Sequence, residues 1–374
     1  MALRDIPYRQ YVITFLVAGL APEVIEALPA ALERSLAAPA GGPPGTSEAD
    51  GVVDSADEEL DDAGLIATAG RRPLAADSVA VTVSGDRMVL RLSHRRFDGT
   101  TGMQFLHDLI DRACGFDPER DLRPIAPLPV LSALRSFRPR ALQDFRVRRA
   151  QGRLTTPGAV PRPSATPAFT VFDLPEDVVR AVKRSRGPWV GQGRATLSTK
   201  LCHAVLTSLR AVQQEPGDLR VRVPADLRHL VPSRRVLGNF VCGDAIGTLH
   251  GTAWTPPEIT RRLSAASGVS GAVSVATAWP RDLVARVAHR FHRPSSAVNV
   301  SLVPSRSFPP NAFSDGRRRL ACVSAGRAPS PVFVFVWSID DMAFVSVYDD
   351  TGLFDLAAFA PRVLEELRST YSPR

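Results

Sequence analysis

The stretch Ser93-His94-Arg95-Arg96-Phe97-Asp98-Gly99 sets an imidazole and a carboxylate four residues apart, where an alternating apolar run gives way to a helical one. Neutral imidazole titrates near working pH, so His94 can take a proton from a hydroxyl, amine or thiol as that group attacks. Asp98 is too near in the chain to be made its triad partner from spacing alone; its carboxylate can instead pair with an arginine and hold the turn. The same residues also have a purely structural reading: a histidine closing a strand and an aspartate capping the following helix.

The flanks explain how such a histidine would be held. Ala80-Val81-Thr82-Val83 and Met88-Val89-Leu90-Arg91-Leu92 alternate on either side of Ser84-Gly85-Asp86, which predicts a hairpin. Met103, Phe105, Leu106, Leu109, Ile110 and Ala113 then recur at helical spacing, which predicts a helix over Gly99–Ala113. The histidine leaves the sheet where the backbone changes direction, and Gly99-Thr100-Thr101-Gly102 lets it turn without steric cost.

Later motifs extend the pattern. Arg222-Val223-Pro224-Ala225-Asp226-Leu227-Arg228 precedes Leu237-Gly238-Asn239-Phe240, and two late strands are closed by Asp349-Asp350 and a terminal helix. With the strand, H-x-x-x-D-G and amphipathic helix, these stretches make nearly the whole chain resemble the chloramphenicol acetyltransferase-like acyltransferase superfamily. That group includes the condensation domains of peptide synthetases, the plant BAHD enzymes and polyketide-associated acyltransferases. The D-F-G-W-G element of the plant enzymes is missing, the nearest stretch being Ser314-Asp315-Gly316-Arg317, which disfavours plant-type membership.

The resemblance implies an α/β (α+β) fold of two mixed-sheet domains packed face to face around a central tunnel. His94 would be the general base, Asp98 its structural support and Gly99 part of the same motif, with Arg228 the choice for the arginine paired with Asp98. It implies acyl transfer from acyl-CoA or an acyl carrier protein to a hydroxyl or amine of a small molecule, a secondary metabolite. The thioester of coenzyme A or phosphopantetheine is a co-substrate, with no cofactor bound permanently. Asn299 and Ser301 alternate with apolar residues in the run 297–303 and share one strand face. That face either lines the tunnel, donating to the oxyanion of a tetrahedral intermediate, or is the solvated side of a strand.

Composition limits the alternatives. A chain of 374 residues with 44% hydrophobic and 22% charged residues has the balance of a soluble protein long enough for two domains. No apolar stretch approaches the roughly eighteen residues of a membrane span. The start of the chain does not read as a secretory signal, so a cytoplasmic location is expected, and a monomer. Cys114, Cys202, Cys242 and Cys322 are scattered without metal-ligand spacing and read as buried free thiols. The formal charge of +8 favours an acidic partner such as coenzyme A phosphates or a carrier protein. Nucleic acid ranks last, because no recognised module is present and no aromatic residues interleave the arginines. A second class of reading remains: a condensation-like protein that binds a carrier protein or metabolite without transfer, or reuses its tunnel for cyclisation or elimination.

Along the chain, a strand is expected at 11–17 and a helix at 22–36. The acidic block 38–64 is expected to be a mobile loop, serving as a lid or docking strip if it has a function. Irregular chain is expected at 117–139. The arginine run between Arg135 and Arg153 is either a solvated face or a docking site. Four prolines mark 155–167 as a linker between domains at 1–154 and 168–374. In the second half, strands are expected at 168–172, 219–223, 332–336 and 343–347. Helices are expected at 173–183, 196–212, 255–267, 279–292 and 356–371, and His203 is expected to be a hydrogen-bonded wall residue.

Overall fold

The computed structural model describes residues 12–37, 51–56, 59–71, 74, 78–93, 97, 99–117, 168–185, 187–189, 195–215, 217–226, 241–242, 245–264, 297–314, 318–325 and 332–371. The chain forms two compact units that interleave in sequence: residues 1–127, 233–239 and 305–328 in one, and 128–232, 240–304 and 329–374 in the other. The expected linker at 155–167 lies outside the described residues, as do the arginine run 135–153, the stretch 118–139 and the helix expected at 279–292.

The first unit is built on a five-stranded sheet of order β11-β1-β4-β3-β2. Its strands are β1 (Val12–Ala18), β2 (Gly51–Ser55), β3 (Val79–Ser84), β4 (Arg87–Ser93) and β11 (Arg319–Ala325). Helices α1 (Pro22–Ala37), α2 (Asp62–Arg71) and α3 (Gly99–Ala113) complete it. The β3–β4 hairpin turns at Gly85, whose φ of 58° lies in the left-handed region that glycine enters without cost. β4 is central, pairing antiparallel with both β1 and β3, so alternate side chains face opposite layers. Leu92 meets α3 on one face, while Arg91 on the other donates from Nη1 to the Ala69 carbonyl of α2 at 2.6 Å.

α3 packs against the sheet with no room to spare. A Cβ at Gly102 would lie 3.0 Å from Phe15 Cε2 and 3.1 Å from Leu92 Cδ1. Gly102→Val should therefore destabilise the unit by about 1–3 kcal/mol through overpacking. A denaturant midpoint indistinguishable from wild type would contradict that packing.

Part of the acidic block is ordered, which corrects the expectation of a loop across 38–64. β2 pairs in parallel with β3, Val53 opposite Val81, and α2 begins at Asp62. Composition misleads here because an edge strand is held by backbone hydrogen bonds and needs little apolar burial; Val52 is in fact exposed. Anchors reach in from the hairpin: Leu60 N–H donates to Ser84 Oγ at 2.9 Å, and Arg87 reaches the Leu60 carbonyl at 2.6 Å.

The second unit has a six-stranded sheet of order β5-β13-β12-β10-β6-β9 and a two-stranded β7-β8 pair. The strands are β5 (Ala168–Leu174), β6 (Arg220–Arg222), β7 (Ala225–Asp226), β8 (Val241–Cys242), β9 (Ala245–Thr248), β10 (Ala297–Ser305), β12 (Val332–Ile339) and β13 (Met342–Asp349). Its helices are α4 (Glu176–Arg184), α5 (Leu197–Val212), α6 (256–264) and α7 (Leu356–Tyr371). The core forms where Val334 and Val336 of β12 and Val345 of β13 meet Val205 and Leu209 of α5 and Phe359, Val363 and Leu367 of α7. Three apolar residues at four-residue spacing make the buried stripe of α7.

Thr196 caps α5, its side chain accepting from Thr199 N–H. β5 runs two residues further than expected and α4 starts three residues later, because Pro175 is compatible with the first turn of a helix but not with its interior. The buried Lys200 donates to the carbonyls of Val182 (2.7 Å) and Ser185 (2.5 Å), supplying positive charge where α4 ends. No helix among the described residues is long and apolar enough to cross a membrane.

Candidate active site

The H-x-x-x-D-G stretch joins the central strand of the first sheet to α3. Ser93 is buried at the end of β4, opposite Val12, and its N–H donates to the Ser78 carbonyl. Phe97 is buried edge-to-face against Phe105 of α3, ring centroids 5.3 Å apart, and its N–H donates to the Ser93 carbonyl at 3.0 Å. Gly99 is the first residue of α3, as expected. His94, Asp98 and Arg228 lie outside the described residues, as does the Gly238-Asn239-Phe240 stretch. The elements that flank the motif are thus fixed by a strand ladder on one side and a close-packed helix on the other.

Asn299 and Ser301 fall on β10, as expected, and share one face because they are two residues apart. Val298 and Val300 point the other way into the second unit's core, which sets the register of the polar pair. Asn299 lies opposite Arg222 of β6 in the parallel ladder. Its Oδ1 is buried without a hydrogen-bond partner among the described residues.

Two histidines outside the motif differ in role. His203 on α5 bonds through Nδ1 to the Trp254 carbonyl and through Nε2 to Glu366 Oε1 at 3.2 Å, so it is hydrogen-bonded at both ring nitrogens. The His203 bond also holds the Glu366 carboxyl below its ordinary range.

His107 on α3 was not singled out from sequence. It is buried, stacked on Phe308 with centroids 4.0 Å apart, and hydrogen-bonded through Nε2 to Ser305 Oγ. Burial, reinforced by the Arg306 charge, lowers its pKa from 6.5 to about 3. Asp108, Asp111 and Arg306 are its charged neighbours, Arg306 bridging both carboxylates.

A pH dependence follows from that shift. Above pH 6.5 the ring is neutral in both folded and unfolded chains. As pH falls from 6.5 toward 3, the unfolded chain binds a proton that the folded chain refuses. Stability therefore drops on acidification through this window, by about 2 kcal/mol between pH 7 and 5 from this group. His107→Gln should remove that part of the drop, read as a smaller difference between urea midpoints at the two pH values; an unchanged difference would contradict a neutral buried ring.

Three of the cysteines, Cys114, Cys202 and Cys322, are free thiols in environments that disfavour the thiolate. Burial raises the Cys114 thiol to about 11 and Cys202 to about 12, and pushes Cys322 up as well. No group of three His, Cys, Asp or Glu side chains among the described residues is placed to hold a metal.

By sequence, neither a protein-family model nor a curated protein matches the chain. By structure, it is similar to the trichothecene 15-O-acetyltransferase of Fusarium sporotrichioides, at 12% identity and TM-score 0.61, covering 96% of this chain and 91% of that one. It is similar to the starter condensation domain of rhizomide synthetase, solved with C8-CoA, at 12% identity and TM-score 0.57, covering 98% and 91%. The epimerization domain from the third module of tyrocidine synthetase B matches at 11% identity and TM-score 0.57, covering 97% and 91%. At such identities the likeness establishes the fold, and it spans nearly the whole length of each chain.

Proposed function

The chain has the fold shared by condensation domains and the trichothecene acetyltransferase, and on it we propose an acyltransferase that moves an acyl group from a thioester to a hydroxyl or amine of a small molecule. The observation that carries this reading is the placement of H-x-x-x-D-G between the central strand β4 and the close-packed α3 of a chain with that fold. His94 takes the acceptor's proton as the acceptor attacks the thioester carbonyl. The tetrahedral intermediate then collapses, the acyl–oxygen or acyl–nitrogen bond replaces the acyl–sulfur bond, and the thiolate leaves with the proton returned from the imidazolium. Asp98 holds the motif in shape, with Arg228 as its ion-pair partner. Ser301 and the Asn299 amide supply polar contacts to the reacting groups, oxyanion stabilisation among them.

The donor is acyl-CoA or a carrier-bound phosphopantetheine thioester; a neighbour solved with C8-CoA and others from peptide and polyketide synthetases support both. The acceptor is proposed to be a secondary metabolite, and the protein a cytoplasmic monomer. Release of free thiol from acetyl- and octanoyl-CoA in the presence of a panel of alcohols and amines tests the reading. Acceptor-dependent release supports it; retention of every thioester, with carrier-bound donors also untouched, overturns it. The epimerization-domain neighbour favours a second reading, in which the scaffold serves a different reaction on a bound metabolite. An altered acceptor or carrier-bound substrate without acyl transfer would select that reading.

A further inference from the structure

α3 buries His107, Asp108 and Asp111 on adjoining turns, among the apolar residues Phe105, Leu106, Leu109 and Ile110. Burying three such side chains is costly unless each finds partners. The partners seen for them come from one short segment, Ser305, Arg306 and Phe308. Ser305 bonds His107 Nε2, Phe308 stacks on the imidazole, and Arg306 bridges Asp108 and Asp111. Phe308 is backed in turn by Phe313, at 5.5 Å between centroids. All of these groups belong to the first unit.

The segment has a particular place in the chain. Ser305 opens the stretch 305–328 by which the chain returns to the first unit, and Gly99, which opens α3, ends the histidine motif. α3 is thus anchored twice: at Gly102 against Phe15 and Leu92, and at His107 against Ser305 and Phe308. We propose that His107 is a positioning residue, its bond to Ser305 and its stack on Phe308 holding in place the helix that begins at the motif glycine. It does not touch the reacting groups. It fixes α3, the helix that follows the motif histidine, and this role rests on the acyltransferase reading only for its effect on rate.

The test uses the full chain and three variants. His107→Phe keeps a ring on Phe308 and loses the bond to Ser305; Ser305→Ala loses the same bond from the other side; His107→Gln restores an amide near the Nε2 position. Hydrogen–deuterium exchange is followed at 99–103, residues that none of the variants alters. His107→Phe and Ser305→Ala should each speed exchange there by roughly tenfold, the loss of one buried hydrogen bond. With an acceptor that supports thiol release, kcat should fall by about tenfold while KM stays within about twofold, since small displacements act on the reaction more than on binding. His107→Gln should recover most of both effects.

Faster exchange confined to 105–109 and 304–308, or spread evenly over the whole chain, overturns the proposal and leaves His107 a packing residue. If wild type releases no thiol with any donor, the acyltransferase reading fails, and the exchange pattern still decides whether His107 holds the start of α3.

Discussion

His94→Ala should lower turnover by about two to four orders of magnitude and leave the fold intact. The loss is that of a positioned general base: without it, the acceptor must give up its proton to water as it attacks, and such a group contributes about 10²–10⁴ in rate. The fold should survive because the segment's ends are held by other residues. Ser93 is fixed by its strand, and Phe97 by burial against Phe105 and its bond to Ser93. Near-normal kcat in a variant with wild-type circular dichroism and melting temperature would remove His94 from the chemistry and leave its structural reading.

The largest expected loss of stability lies elsewhere, at Asp349. This residue ends β13 and is fully buried. Its Oδ1 accepts from Thr351 N–H at 2.8 Å, Thr351 Oγ at 2.5 Å and Gly352 N–H at 3.1 Å, while Oδ2 accepts from Phe354 N–H at 3.1 Å. One carboxylate thus satisfies three backbone donors in the turn that sends the chain into α7, where Gly352 takes a φ of 67°. Asp349→Ala would strand those donors in a buried turn, at a cost of about 3–5 kcal/mol. Asp349→Asn retains one acceptor and should lose about half as much. A shift of the denaturation midpoint worth less than about 1 kcal/mol for the alanine variant would mean that water replaces the carboxylate.

Sequence legibility followed how local each interaction is. The β3–β4 and β12–β13 hairpins, α3 and α7 were readable because their signals are local: alternation around a turn, or apolar spacing bounded by glycine or a polar turn. β2 was missed because its order comes from a neighbour's backbone. β11 pairs with β1 across roughly three hundred residues of sequence, Phe15 opposite Cys322, and no local pattern reports such a partnership. The candidate site divides in the same way. Asn299 and Ser301 were placed correctly on one strand face by simple alternation. His107 went unread because its meaning depends on Ser305 and Phe308, far along the chain. A histidine and two aspartates on the inward half of a helix were the available signal, since buried polar residues need partners. His94, Asp98 and Arg228 rest on motif and resemblance.

In the proposed reaction a thioester acyl group passes directly to the acceptor, with an imidazole moving the proton and no bond formed to the protein. Intact-protein mass spectrometry during a single turnover with acyl-CoA addresses it most directly. Direct transfer should leave the protein mass unchanged at every time point, with acylated acceptor appearing in one phase that His94→Ala slows by at least a hundredfold, the lower end of about 10²–10⁴. A transient protein species heavier by one acyl group, formed and consumed at the rate of turnover, would contradict it.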